Sequence, residues 1–425
     1  MSNQEWQQRK EKCIARGLGN MLPVYIERAQ NSELWDIEGN RYIDFGTGIA
    51  VVNTGHNHPT VKAAVKAQLD DFTHTCFMVT PYIEGVELAE KLCELAPIDG
   101  DKKAIFVTTG AEAVENCIKI ARAHTGRRGV IAFNGGFHGR TNMTMGLTGK
   151  IVPYKHQFGP FPGDIYHAPF PIAEHGVSVE ESLKAVENLF KVSIAAEDTA
   201  AIIVEPVQGE GGFYQCPADF LSGLRRICDQ YGIVMIADEI QTGFARTGKM
   251  FCMEHYAVKA DLMTMAKGIS GGYPLAAVVG KAEMMDAPEP GGLGGTYAGS
   301  PTAITAALAV QKVIEDEQLI RRAEQVGAAF MNRLDKLQST YPNIIATKRR
   351  TGAMVAIELV NNGDIEQPNS DLTKALVQEA GKRGLVLLSC GVRGNVIRFL
   401  PALTIEFELV EEGMNIIEQC FKELI

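Results

Sequence analysis

The chain reads as an α/β protein, with a mostly parallel central sheet covered by helices and a smaller α+β unit behind it. Three observations predict this. Between Ala104 and Gly280, short apolar runs (AIFVTT, GVIAFN, AAIIVEP, IVMIADE, DLMTMAK, LAAVVG) alternate with helical patterns, and strands apolar on both faces belong to a sheet covered on both sides. From Pro301 the pattern turns helical for roughly forty residues, enough for a long helix joining two units. Beyond it come three short strands, GAMVAIELV, GLVLLSC and VIRFLPAL, and a closing amphipathic helix. A length of 425 residues suits two units, or three. The expected division is an N-terminal segment, 1–55, packing with the small unit; a large α/β domain, 56–315; and a small α+β domain, 316–425.

The elements follow in order. After a polar start, ELWDIEGNRYIDF (Glu33 to Phe45) alternates as strands around a Glu-Gly-Asn turn. HPTVKAAVKAQLDDF is an amphipathic helix. AIFVTT ends at Gly110, and a helix begins at once in AEAVENCIKIARAHTG, with Val114, Cys117, Ile118 and Ala121 on one face. GVIAFN leads into a Gly-His loop, and DFLSGLRRICDQYG is the helix between AAIIVEP and IVMIADE.

Composition excludes several functions. A net charge of −10 argues against nucleic acid or an anionic membrane as partner. No apolar run approaches the ~20 residues of a membrane span. The polar start, MSNQEWQQRKEK, has no apolar signal core, and the nine scattered cysteines include no C-x-x-C. Both features suit a cytoplasmic protein with reduced thiols and no zinc site. His56 and His58 in GHNHP have no carboxylate or third histidine at ligand spacing, so capping or packing is the expected role and no metal is expected.

Four motifs carry chemistry. In TTGAEAVEN a strand ends at Gly110 and a helix starts, which is an anion site as well as an ordinary βα turn. It is not a Walker loop, and no G-x-G-x-x-G fingerprint follows a first strand. In IVMIADEIQTG the adjacent acids Asp238 and Glu239 point to opposite sides of a strand end, so one can face a site at the carboxyl edge of the sheet. In EPVQGEGG, Glu205 ends a strand and Glu210 lies among glycines that permit close backbone approach. GGFHGRT puts Phe137, His138 and Arg140 in one loop, suited to a planar anionic ligand. Lys267, in DLMTMAKGISGG, is then the lysine to explain. An anion cradle, an aromatic plate, a strand-end acid and a strand-end lysine together meet the needs of pyridoxal phosphate.

With these motifs in order, and with GIAVVNTGHNHP, ADEIQTGFARTG, GGTYAGSP and VIRF, the sequence resembles the class-III pyridoxal-phosphate-dependent aminotransferases of fold type I over nearly its whole length. Within them it is most similar to bacterial 4-aminobutyrate:2-oxoglutarate aminotransferases. The resemblance implies that Lys267 forms the internal aldimine, that Asp238 pairs with the pyridine nitrogen and that Gln241 lies near the ring hydroxyl. It implies that Phe137 stacks on the cofactor with His138 beside it, that Gly110 and Ala111 bind the phosphate, and that Thr296 reaches the phosphate from a partner subunit. Ile49 and Arg140 would line the substrate pocket, and Glu210 with Arg398 would gate the α-carboxylate site. A homodimer with shared active sites, or a tetramer, is implied. Many relatives carry serine where this chain has Ala111, which removes one hydroxyl contact worth roughly 1 kcal/mol.

The implied reaction is ping-pong transfer from 4-aminobutyrate to 2-oxoglutarate, giving succinate semialdehyde and glutamate. 5-Aminovalerate, β-alanine, ornithine or acetylornithine are alternative donors. Ile49 cannot recognise an α-amino group, which favours a donor with polar groups only at its two ends. An aminomutase or racemase of the same fold, and a non-catalytic binding protein, are the competing classes. Intact Lys267 and Asp238 speak against the latter.

Overall fold

The computed structural model describes all residues from Met1 to Ile425. Seven strands form the central sheet, in the spatial order Lys102–Val107, Ala276–Lys281, Leu262–Met265, Val234–Asp238, Thr199–Val204, Gly129–Phe133, Ile165–Ala168. The inner strands are apolar on both faces because both faces are covered. Every residue of Thr199–Val204 and of Val234–Asp238 is buried. Ala276–Lys281 is the exception to parallel pairing and runs antiparallel to both neighbours. The connection from Met265 to Ala276 contains only the single turn Lys267–Ile269, too short for the crossover that a parallel return requires.

The helix Gly110–Thr125 shows why the covering layer forms where it does. Thr109 caps it, Glu112 reaches back in a capping box, and Gly126 ends it in the left-handed conformation at φ 67°. Val114, Cys117, Ile118 and Ala121 are all buried against the sheet, each large aliphatic contributing about 1.5–3 kcal/mol. His58 caps Pro59–Asp71 by accepting the Thr60 N–H, and its Nε2 lies 2.9 Å from Glu317. His56 lies 2.8 Å from Asp44.

The helical stretch after Pro301 is two helices, Pro301–Asp316 and Leu319–Thr340, where the sequence suggested one. Gln318 breaks it at φ 52°. Asp316 and Glu317 crowd negative charge at a helix C-terminus, where the dipole disfavours it. Beyond lies an antiparallel sheet in the order Ile345–Thr351, Met354–Asn361, Val396–Phe399, Leu388–Cys390. The Glu33–Asp36 and Arg41–Asp44 strands pair antiparallel, and Leu385–Val386 joins Arg41–Asp44 in parallel, so the N-terminal strands share a sheet with a late segment of the chain.

Candidate active site

Strand ends and loops converge at the carboxyl edge of the central sheet on a cavity of about 410 Å³. Gly110, Ala111, Phe137, His138, Glu210, Asp238, Gln241 and Lys267 all line it. Strand pairing accounts for part of this: Asp238 is in register with Thr264 on the adjacent parallel strand, so Lys267, three residues on, emerges at the same edge. Lys267 has φ 48°, a left-handed backbone unusual for a side chain of its size. That turn aims it into the cavity instead of along the strand.

Asp238 and Glu239 do part company. Asp238 Oδ2 lies 2.6 Å from His138 Nδ1, and Oδ1 accepts from Thr264 Oγ1 at 3.0 Å and the Ile240 N–H at 3.2 Å. Glu239 points into protein, accepting from the Cys252 and Met253 amides and the Thr242 hydroxyl. Burial pushes its carboxyl up to about 7.

His138 is fully buried beside Asp238. Burial opposes its charge, but the Asp238 hydrogen bond and charge outweigh burial and raise its pKa. Glu205, which the sequence marks as a strand end in EPVQGEGG without giving it a role, accepts the Phe137 N–H at 2.8 Å and the Gly209 N–H at 2.9 Å. It fixes the loop carrying the aromatic plate, and burial raises its pKa. The signal for it was available, since it ends an apolar strand as Asp238 does.

Lys267 keeps a partly open surface toward the cavity, yet protein surrounds its amine. Desolvation pulls its pKa from an ordinary 10.5 to about 8, with Glu210 opposing and Arg398 assisting. Gln241 Oε1 is buried and has no hydrogen-bond partner, an orphan acceptor at the cavity wall. A Cβ on Gly209 would stand 2.3 Å from that oxygen, so any side chain there would have to displace the Gln241 amide. The first-turn amides of Gly110 and Ala111 have no intrahelical acceptor. An anion cradle, an orphan acceptor, a buried acid and a lysine whose pKa burial has lowered, all around one cavity, fit a flat, phosphorylated aldehyde.

The other candidates lie outside the cavity wall. Arg398 touches it through Glu210, with Nη1 2.5 Å from Glu210 Oε1, while its buried Nε has no partner. Arg140 is exposed, its guanidinium 4.9 Å from the centre of the Tyr154 ring. Ile49 is exposed at φ 67°, in a left-handed turn shared with Thr47, Gly48 and Ala50. Thr296 is exposed.

The sequence profile described as aminotransferase class-III matches residues 13–421. The chain is a class-III aminotransferase. It is 52% identical over 423 residues to the 5-aminovalerate aminotransferase DavT of Pseudomonas putida, covering 100% of this chain and 99% of that protein. It is 50% identical over 422 residues to the 4-aminobutyrate aminotransferase GabT of Escherichia coli, covering 99% of each. Among solved structures, a Bacillus anthracis aminotransferase superposes with a TM-score of 0.91 at 28% identity, covering 99% of this chain and 98% of that one. An amine transaminase from an uncultivated Pseudomonas species, solved with pyridoxal phosphate bound, gives 0.88 at 29%, covering 97% of this chain and 99% of that one. Class-III aminotransferases use pyridoxal phosphate, and the fold is the type I fold of such enzymes.

For a class-III aminotransferase the cavity is chemically apt. Its wall offers free first-turn amides for a phosphate, an acid backed by an imidazole, and an amine. No helix in the chain is long and apolar enough to cross a membrane.

Proposed function

We propose that this aminotransferase moves the amino group of an ω-amino acid, 4-aminobutyrate first, to 2-oxoglutarate, releasing succinate semialdehyde and glutamate by a ping-pong route. The observation that carries the reading is the Glu210–Arg398 pair. A buried arginine already neutralised by a carboxylate suits a donor with no carboxylate on its reacting carbon. The unpartnered Arg398 Nε keeps the same arginine able to take one.

Pyridoxal phosphate, when bound, supplies an electron sink and a carrier for the amino group. Gly110 and Ala111 would hold its phosphate, joined by Thr296 of a partner subunit. Phe137 would lie against the ring and Gln241 near its hydroxyl. Asp238, held by His138, would be the counter-ion to a protonated ring nitrogen. Lys267 would hold the aldehyde and, when free, serve as the base that takes the proton from the amine-bearing carbon of the substrate. Only a neutral amine can do this, and burial favours that form. Arg140 grips the distal carboxylate, and Ile49 gives an apolar wall that offers nothing to a second amino group.

5-Aminovalerate is the second reading, favoured by the similarity to the enzyme named for it. A homodimer in the cytoplasm is part of the proposal. Thr296 is exposed in the single chain, and Met78, Val79, Ile83 and Tyr297 are exposed apolar side chains that a partner would cover. An amino-donor panel with 2-oxoglutarate, read as glutamate formed, tests the reading. 4-Aminobutyrate or 5-aminovalerate should give the highest kcat/KM. A preference for α-amino acids over both would overturn it.

A further inference from the structure

Tyr154 lies in the loop segment IVPYKHQFGPFPG, which has neither helical nor strand periodicity. Its side chain is nonetheless buried at 9% exposure. The ring lies 4.8 Å from that of Phe137 and under the Arg140 guanidinium. Its hydroxyl donates to Glu210 Oε2 at 3.1 Å, while Glu210 Oε1 meets Arg398. One carboxylate is therefore held at both oxygens, by the tyrosine and by the arginine. Glu210 is also pinned at its backbone, where its carbonyl accepts the Gly391 N–H. Only its side chain is left to move.

We propose that Tyr154 is a positioning residue that sets the substrate preference of the enzyme, by biasing Glu210 toward the arrangement in which it neutralises Arg398. The proposal rests on the reading of Glu210 and Arg398 as a gate. To free Arg398 for an α-carboxylate, Glu210 must swing away, and that breaks the tyrosine bond as well as the ion pair. Tyr154 thus makes the α-carboxylate substrates, glutamate and 2-oxoglutarate, harder to admit and the ω-amine easier. Burial, reinforced by Glu210, holds the phenol well above its ordinary pKa, so it stays a donor throughout the working pH range.

Tyr154→Phe removes the hydroxyl and keeps the ring against Phe137 and Arg140. A hydrogen bond to a charged group is worth enough to shift a ratio by about tenfold. In single-turnover half-reactions, Tyr154→Phe should shift the ratio of specificity constants by about that factor toward glutamate and away from 4-aminobutyrate. Calorimetry on the cofactor-free protein gives a readout independent of turnover: glutarate should bind Tyr154→Phe more tightly than wild type, while valerate should not. In a Glu210→Ala background, Tyr154→Phe should change neither ratio further. An unchanged ratio, a shift toward 4-aminobutyrate or equal losses in both half-reactions would overturn the proposal. Glu210→Ala separates the two claims. If it shifts the ratio and Tyr154→Phe does not, the tyrosine proposal alone fails. If neither shifts it, the gate itself is wrong.

Discussion

His138 Nδ1 and Asp238 Oδ2 stand 2.6 Å apart, both side chains almost fully buried, in the wall of the cavity that Gly110 and Lys267 also line. The acid is held on one oxygen by an imidazole whose pKa it raises, and on the other by Thr264 and a backbone amide. A carboxylate so fixed can serve as counter-ion to one protonated ring nitrogen with little reorganisation.

Asp238→Asn should therefore keep the cofactor but lose activity by about a hundredfold or more, ~2.7 kcal/mol at 1.36 per tenfold. The amide still accepts from Thr264, so the fold is preserved, but it carries no charge for a pyridinium. Cofactor content by absorbance and kcat on the same preparation check this. Near-native turnover would show that another acid serves the ring.

Lys267 predicts a pH dependence of stability. Its folded pKa, about 8, lies below the ordinary 10.5. Below pH 8 the amine is charged in both states and the folded protein bears the cost. Between about 8 and 10.5 the unfolded chain binds the extra proton, so stability of the cofactor-free protein rises with pH across that window. The gain is at most about 3 kcal/mol, less with cavity water screening the amine. Urea denaturation of wild type minus Lys267→Met isolates it. A flat or falling difference through the window would contradict it.

How much of this was legible in the sequence depends on the kind of signal. Lys267, Asp238 and Gly110 stand at ends of apolar strands, and strand ends in a parallel sheet share an edge, so their meeting follows from pattern alone. The direction of Ala276–Lys281 was not legible, because a strand apolar on both faces reads the same either way. The break at Gln318 was hidden because glutamine is an ordinary helix former, with no glycine or proline to mark the turn. Tyr154 was invisible because its loop has no period. It reaches Glu210, 56 residues away, only through the fold.

Ala111→Ser should tighten cofactor binding by about fivefold, the equivalent of ~1 kcal/mol for one added hydrogen bond. Ala111 already lines the cavity, in the first turn of the helix Gly110–Thr125, so the hydroxyl needs no backbone change. A cofactor titration of the apoprotein, followed by fluorescence, measures it. Unchanged or weaker binding would place the phosphate elsewhere.

Glu210→Ala should slow the 4-aminobutyrate half-reaction more than the glutamate half-reaction. On the proposed gate, glutamate's α-carboxylate would pair Arg398 in this variant, whereas 4-aminobutyrate would leave the arginine buried and alone, at a cost of about 3–5 kcal/mol before relaxation. Single-turnover rates decide it. Equal losses with lower thermal stability would indicate a plain ion pair between two parts of the chain.

Amino transfer in two separable halves is tested most directly by supplying one substrate at a time. Holoenzyme given 4-aminobutyrate alone should release one aldehyde per active site and stop. 2-Oxoglutarate added after the free amine is removed should then release one glutamate per site. Aldehyde that forms only when both substrates are present, or glutamate that does not appear on the second addition, would contradict the account.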